Sequence, residues 1–231
     1  VNNEICNILV IKRVGELCKA NDALFHSDMV QSIGHYHVDL QEIPIDFMAV
    51  SAHKFHGPKG VGFTFVRKQS GLKPLIFGGE QERGVRAGTE AVHNIVGLET
   101  ALQLSYDNLE TEREYIKSIK SYFITELTKA FPEVHFNGDC ASLDGSTYTV
   151  LNVCLPIPGD KAMLLLFNLD LKGIACSKGS ACQSGSSKGS HVLSQILDDE
   201  QLEKPSLRFS FSKYNTKEEV DYVIEALKSF V

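Results

Sequence analysis

Two short apolar runs that each end in front of a reactive side chain constrain the fold of this chain most. Residues 23–25 lead into a segment that holds Asp28, and residues 47–50 lead into a segment that holds Lys54. Short apolar runs are typical of buried strands in open α/β sheets, which bind ligands at the carboxyl ends of their strands. The sequence therefore predicts that Asp28 and Lys54 lie at the mouth of one sheet.

A lysine and an acid in this arrangement are typical of pyridoxal phosphate chemistry. The amine can bind a carbonyl cofactor covalently, and an acid that faces the pyridine nitrogen keeps the ring protonated and able to accept electrons. Ser51 and His53 flank the lysine and are candidate phosphate donors. From these residues alone, a surface lysine that precedes an ordinary turn at Gly57-Pro58 is an equally good interpretation.

A second group of candidate residues lies near the carboxyl end of the chain. By composition, residues 177–190 form a Gly/Ser-rich loop or linker. Cys182 within it is predicted to be reactive, because structural free cysteines are usually buried. Arg208 follows in a segment, residues 206–211, that alternates like a half-buried strand. Such an arginine could bind a substrate carboxylate through two parallel hydrogen bonds, although a surface ion pair is the commoner role.

Taken together, these segments resemble the cysteine desulfurases, the NifS/IscS-like branch of the class V aminotransferase-fold enzymes. The matching segments, in the family order, are Val1-Asn-Asn-Glu-Ile5, His26-Ser-Asp-Met-Val-Gln-Ser32, Ser51-Ala-His-Lys-Phe-His-Gly-Pro-Lys-Gly60, residues 78–90, Gly179-Ser-Ala-Cys182 and Ser206-Leu-Arg-Phe-Ser210. The resemblance implies an α/β fold of the pyridoxal-phosphate-dependent transferase (aspartate aminotransferase-like) type. It also implies an incomplete large domain over residues 1–105 and a small α+β domain over residues 106–231.

The resemblance implies a role for each candidate residue. Lys54 would bind the cofactor covalently, Asp28 would pair with its pyridine nitrogen, and Cys182 would be the catalytic nucleophile. Asn3 and Gln31 would contact the ring hydroxyl of the cofactor, and Ser51 and His53 would contact its phosphate. Arg208 and Asn3 would bind the substrate. Thr89 would contact the phosphate of the cofactor in the neighbouring subunit. Thr89 therefore indicates a homodimer.

The implied activity converts L-cysteine to L-alanine and leaves the sulfur on Cys182 as a persulfide. The sulfur would then pass to an acceptor protein, and the spacing after Cys182 resembles the long-loop branch that usually serves iron-sulfur cluster assembly. Two alternatives stay open: selenocysteine lyase activity, and a non-catalytic, truncated desulfurase fold that acts as a structural or sulfur-relay module.

The chain departs from the family pattern at its start and at several single positions. Family members have a long amino-terminal portion before Asn-Asn-Glu-Ile, and this chain begins at that motif. We therefore expect half a cofactor pocket and unpaired strand edges, in a truncated chain, a proteolytic product or one piece of a split protein. Cys6 stands where the family usually has Gly. Cys176, six positions before Cys182, is a competing nucleophile or an oxidation partner.

Composition and spacing argue against other functions. The formal net charge of −6 provides no basic surface for nucleic acid, and no apolar run approaches the roughly eighteen residues of a membrane span. Six cysteines with no CxxC pair and no signal peptide indicate reduced thiols in a cytoplasmic protein. The pairs His35/His37 and His53/His56 lack the spacing of a zinc site, so we predict no metal.

Periodicity predicts several elements. The predicted helices cover residues 97–104, 109–131, 160–169 and 216–230, and a strand covers residues 148–155. Pro132 should end the second helix, and Thr216 with Glu219 should form a capping box at the start of the last one.

Overall fold

The computed structural model describes residues 1–162, 164–179 and 190–230. Internal contacts divide the chain into two compact units. We name Leu9–Leu109 the lysine unit, because it holds Lys54, and Val1–Ile8 with Glu110–Val231 the arginine unit, because it holds Arg208. The first eight residues therefore pack with the carboxyl half of the chain, which the sequence alone did not indicate.

The lysine unit is built on a three-stranded sheet with the order β1-β2-β3. Its elements are α1 (Ile11–Ala20), β1 (His26–Asp28), β2 (Phe47–Ser51), a 3-10 turn (Ala52–Phe55), β3 (Gly62–Val66), a second 3-10 turn (Gln81–Gly84) and α2 (Val92–Asp107). Strand β2 runs parallel to β1 and antiparallel to β3. The buried core includes Met48 and Val50 of β2 and Phe55 of the first 3-10 turn.

The strand before Asp28 differs from the prediction. Strand β1 begins at His26, after the apolar run, and both His26 and Asp28 are exposed rather than buried. The physical reason is its position, because β1 pairs only with β2 and forms one edge of the described sheet. Strand β2 alternates as expected, with Met48 and Val50 buried.

The arginine unit contains an antiparallel sheet with the order β4-β5-β6. Its elements are α3 (Leu109–Ala130), β4 (His135–Phe136), β5 (Val150–Cys154), α4 (Gly159–Ala162), α5 (Leu165–Leu171), a 3-10 turn (Leu193–Gln195), α6 (Asp199–Glu203), β6 (Ser206–Ser210) and α7 (Lys217–Lys228). Residues of α3 at steps of three or four, Ile116, Ile119, Phe123 and Leu127, are buried in this core. The ring of Phe123 meets that of Phe209 edge to face, with centroids 4.9 Å apart.

Most of the predicted elements of the arginine unit are confirmed. Helix α3 ends at Ala130, two residues before Pro132, and α7 begins after Thr216 with the predicted capping box. The single helix predicted over residues 160–169 is wrong, because the structure has two short helices there, α4 and α5.

The prediction that every cysteine is a reduced thiol is wrong for two of them. Cys6 and Cys140 form a disulfide with a Cα–Cα distance of 5.2 Å and a sequence separation of 134 residues. Packing of the first eight residues into the arginine unit brings the two thiols together, and both residues are fully buried. Cys6 has φ of 68°, a left-handed conformation that glycine adopts most easily.

One cationic side chain lies inside the arginine unit. Lys120 of α3 is fully buried, and its Nζ donates to Ser146 Oγ and to the Thr147 carbonyl, both at 2.8 Å. Burial lowers the pKa of Lys120 to about 8, because the charged amine loses hydration that two neutral acceptors replace only in part.

Within the described residues, no helix combines the length and apolar character needed to cross a membrane.

Candidate active site

Lys54 lies on a one-turn 3-10 helix that directly follows β2. Ala52 and Phe55 are buried and anchor this turn, while Lys54 is partly exposed. The turn ends at His56, whose φ of 66° is left-handed, and Gly57 N–H donates to the Ala52 carbonyl at 2.9 Å. The lysine side chain therefore projects from a short, anchored turn.

Asp28 ends the strand that pairs with β2. It is the last residue of β1 and pairs in parallel register with Ala49 of β2, and Met29 N–H donates to the Ala49 carbonyl at 3.0 Å. Strands β1 and β2 are parallel, so Asp28 and the turn with Lys54 follow the carboxyl ends of neighbouring strands. The exposed carboxylate of Asp28 accepts from Val30 N–H at 2.9 Å.

The segment after Asp28 forms a compact helical turn. Ile33 N–H donates to the Met29 carbonyl, and Tyr36 N–H donates to the Ser32 carbonyl, both at 3.0 Å. Gln31 lies on this turn and is partly buried.

One residue of this turn has a contact that its sequence does not indicate. His35 Nε2 lies 3.0 Å from the Lys54 carbonyl oxygen, across 19 residues of sequence. From the sequence, His35 is notable only as half of a histidine pair without the spacing of a zinc site. No sequence signal reports this contact, because it depends on how two turns pack.

The other predicted phosphate contacts also lie in the lysine unit. Ser51 ends β2 and is partly buried, and His53 is exposed on the 3-10 turn. Thr89 is exposed and follows Gly88, whose φ of 119° is left-handed. Gly88 N–H donates to Gln81 Oε1 at 3.1 Å, which fixes the chain just before Thr89.

The predicted substrate contacts lie in the arginine unit and meet each other. The guanidinium of Arg208 donates to the Asn3 carbonyl at 2.9 Å, although 205 residues separate the two in sequence. The backbone of Arg208 exchanges two hydrogen bonds with Ser177, at 2.7 and 3.1 Å. Asn152, which pairs with Arg208 across the sheet, donates from its side chain to the Glu4 carbonyl at 3.0 Å. Asn3 and Arg208 are therefore held in one hydrogen-bonded arrangement.

The predicted nucleophile, Cys182, lies outside the described residues. Its sequence neighbour Cys176 is partly buried, and burial together with the negative charge of Asp170 raises the pKa of its thiol to about 11. A thiol with that pKa stays protonated at neutral pH, and thiols react as thiolates. This environment argues against Cys176 as the competing nucleophile.

The lysine unit holds side chains of the types that pyridoxal phosphate requires. The carboxylate of Asp28 could accept from a protonated pyridine nitrogen, the amine of Lys54 could attack the carbonyl carbon, and Ser51 and His53 could donate to the phosphate. The chemistry of this set fits the cofactor. Over residues 1–162, 164–179 and 190–230, no group of three or more His, Cys, Asp or Glu side chains is placed to hold a metal ion.

The family described as aminotransferase class-V matches residues 1–223 of this sequence. The chain belongs to that family. Cysteine desulfurase IscS of Clostridium botulinum is 42% identical over 230 residues, covering 100% of this chain and 57% of the relative. Putative cysteine desulfurase IscS 1 of Bacillus subtilis is 43% identical over 220 residues, covering 95% of this chain and 57% of the relative.

Solved structures of this class-V group have the same fold. The NifS-like protein from Rickettsia africae superposes with a TM-score of 0.86 at 30% identity, covering 100% of this chain and 59% of that one. The predicted α/β, pyridoxal-phosphate-dependent transferase fold is therefore confirmed. The chain spans 57% of the length of the curated relatives named above.

Proposed function

We propose that this class-V aminotransferase chain is part of a pyridoxal-phosphate-dependent cysteine desulfurase. The observation that carries the proposal is the placement of Asp28 and Lys54 at the carboxyl ends of the neighbouring parallel strands β1 and β2. The cysteine desulfurase names of the relatives support the reaction class. The substrate is L-cysteine, and the products are L-alanine and a persulfide on Cys182.

Two residues of the lysine unit control protons in this proposal. When bound, pyridoxal phosphate supplies an electron sink for the carbon that loses its proton. Lys54 would hold the cofactor through its amine, and the same amine would move the α-proton of the substrate. The carboxylate of Asp28 keeps the proton on the pyridine nitrogen. Ser51 and His53 bind the phosphate, and Gln31 binds the ring hydroxyl.

The arginine unit orients the substrate in this proposal. Arg208 binds the substrate carboxylate, and its hydrogen bond to the Asn3 carbonyl holds the two proposed substrate-binding residues together. Cys182, as a thiolate, attacks the substrate sulfur. An S–S bond forms while the Cβ–S bond of the substrate breaks. The electron pair of that bond stays with the substrate carbon skeleton, which takes up protons and is released as alanine.

Partners and location complete the proposal. Thr89 serves the cofactor of a neighbouring subunit, so the working form is a homodimer. Support comes from Leu75 and Phe77, which are 89% and 81% exposed in the same loop region and would be covered by a partner surface. The persulfide passes to a sulfur-acceptor protein such as an iron-sulfur scaffold. The free thiols of Cys18, Cys154 and Cys176 support a cytoplasmic location in this proposal, and the Cys6–Cys140 disulfide does not. Selenocysteine lyase activity would use the same residues.

A specific observation favours a second candidate, the non-catalytic structural or sulfur-relay module. Strands β1 and β3 are both edges of the described sheet of the lysine unit. Unpaired edges favour capture of another strand. In this alternative, the matching site residues are carried without being used.

Covalent trapping separates the two candidates. The chain is incubated with pyridoxal phosphate, reduced with borohydride, and mapped by peptide mass spectrometry. The first candidate predicts a single adduct on Lys54, which is lost in Lys54→Arg and kept in Lys59→Arg, a change of an exposed lysine in the same segment. Adducts scattered over surface lysines, or none, would favour the non-catalytic module.

The nucleophile needs its own assay. With the cofactor bound, Cys182→Ser should abolish persulfide formation and leave the adduct on Lys54 intact. Production of alanine from cysteine at the wild-type rate by Cys182→Ser would show that another group takes the sulfur.

A further inference from the structure

The carbonyl of Lys54 has an unusual partner for a helical turn. A one-turn helix leaves carbonyl groups without intrahelical donors, and such groups need partners from elsewhere. The Ala52 carbonyl accepts from Gly57 N–H, whereas the Lys54 carbonyl pairs with the imidazole Nε2 of His35 at 3.0 Å. A carbonyl oxygen only accepts hydrogen bonds, so Nε2 of His35 must carry the hydrogen.

His35 lies on the same short turn that Asp28 begins. Asp28 Oδ1 accepts from Val30 N–H at 2.9 Å at the start of this turn, and His35 N–H donates to the Ser32 carbonyl at 3.0 Å near its end. One turn therefore has the proposed acid at its start and a hydrogen bond to the proposed cofactor lysine at its end.

The two turns also pack too closely to slide past each other. Gly34, next to His35, has φ of 81°, and a Cβ atom there would lie 2.6 Å from Cβ of Phe55, next to Lys54. Phe55 is only 1% exposed, so it cannot move aside without disturbing the core of the lysine unit. The imidazole of His35 is thus held against the backbone of Lys54 by the packing of both neighbours.

We propose that His35 is a positioning residue for Lys54. It fixes the Lys54 carbonyl, and with it the start of the lysine side chain, relative to the turn that Asp28 caps. The catalytic meaning of this contact rests on the proposed function, because a small displacement of a reacting amine slows its reaction strongly. The hydrogen bond itself is independent of the cofactor.

Three variants test the proposal. His35→Leu removes the donor, whereas His35→Gln keeps an N–H group at about the distance of Nε2. His37→Leu is the matched control, since His37 is an exposed histidine of the same segment whose ring lies beside Tyr106. Circular dichroism and thermal unfolding verify that each variant is folded. Should His35→Leu fail to fold, the wild-type imidazole spectrum and His35→Gln still decide the outcome.

The first measurement needs no cofactor. Nitrogen-15 NMR of labelled histidine in the wild-type chain should show hydrogen on Nε2 of His35, and His35 hydrogenated only on Nδ1 would overturn the proposal. Hydrogen exchange of the Gly57 amide should be about fivefold faster in His35→Leu than in the wild type, because loss of one hydrogen bond costs about 1 kcal/mol. The exchange rate should be near that of the wild type in His35→Gln and His37→Leu. Unchanged exchange in His35→Leu would also overturn it.

The second measurement tests positioning of the amine. The rate at which the borohydride-reduced pyridoxal phosphate adduct forms at Lys54 should fall about fivefold or more in His35→Leu and recover in His35→Gln. The rate of adduct formation at Lys59 should be the same in every variant. If the wild-type chain forms no adduct at Lys54, the proposed function fails for this chain, while the NMR result still decides whether His35 holds the lysine turn. A wild-type rate at Lys54 in His35→Leu would refute the positioning role.

Discussion

The buried amine of Lys120 makes the stability of the arginine unit depend on pH in an unusual direction. Below pH 8 the amine is charged in both the folded and the unfolded chain, and the folded chain carries the cost of that buried charge. Between pH 8 and its ordinary pKa of 10.5, the unfolded chain binds a proton at Lys120 that the folded chain has released. The free energy of unfolding therefore rises with pH in this range.

The magnitude follows from the lowered pKa. Each pH unit over which the two states differ by one proton contributes about 1.4 kcal/mol. The interval between the pKa of Lys120 in the folded chain, about 8, and its ordinary pKa of 10.5 then corresponds to roughly 3 kcal/mol of unfolding free energy. About 2 kcal/mol of this increase should appear between pH 8 and 9.5. Lys120→Met removes the titrating group and keeps a side chain of similar length. The free energy of unfolding of the wild type, minus that of Lys120→Met, should therefore increase by about 2 kcal/mol over this range.

Urea unfolding at several pH values, followed by circular dichroism, measures this difference. Lys129→Met is the control, because Lys129 lies on the same helix with 66% of its side chain exposed and an ion pair to Glu126 at 2.7 Å. The difference between wild type and Lys129→Met should stay nearly constant with pH. Parallel curves for the wild type and Lys120→Met from pH 7.5 to 9.5 would refute a buried amine with a lowered pKa.

Three further predictions concern other parts of the molecule. Thr216→Ala removes the cap of α7 and should lower the free energy of unfolding by about 1 kcal/mol, measured by urea unfolding; an unchanged midpoint would mean that the cap contributes nothing. Cys140→Ala removes the disulfide and should lower the free energy of unfolding by roughly 2–5 kcal/mol, again measured by urea unfolding. The free energy of unfolding of the wild-type chain should approach that of the variant when a thiol reductant is added. Arg208→Ala should weaken cysteine binding far more than pyridoxal phosphate binding in titrations, and equal losses would indicate that Arg208 has a structural role instead.

Local patterns in the sequence predict the elements whose burial repeats regularly. Helix α3 buries Ile119, Phe123 and Leu127 on one stripe, and α7 starts at a capping box, so both can be found without knowledge of the fold. Strand β1 illustrates the limit, because its exposure depends on which strands lie beside it rather than on its own residues.

The candidate site shows the same division. The order of apolar runs and polar ends predicts Asp28 and Lys54 at the strand ends of one sheet, since strand ends are local features, whereas the direct pairing of β1 with β2 is known only from the structure. The contacts of His35 with Lys54, of Arg208 with Asn3, and of Cys6 with Cys140 cannot be predicted in this way. Each depends on chain segments that meet only after folding, and no periodicity encodes which segments meet.

The hydrogen bond between Arg208 and Asn3 has a consequence for the order in which this chain can fold during synthesis. All of Leu9–Leu109 leaves the ribosome before β5 and β6 exist, so the lysine unit can assemble early from contiguous residues. The first eight residues belong to the arginine unit and must wait for β6, about 200 residues later, before Arg208 can bind Asn3. Until the arginine unit folds, the thiol of Cys6 is exposed on the nascent chain, where a chaperone or a thiol-blocking partner could bind it.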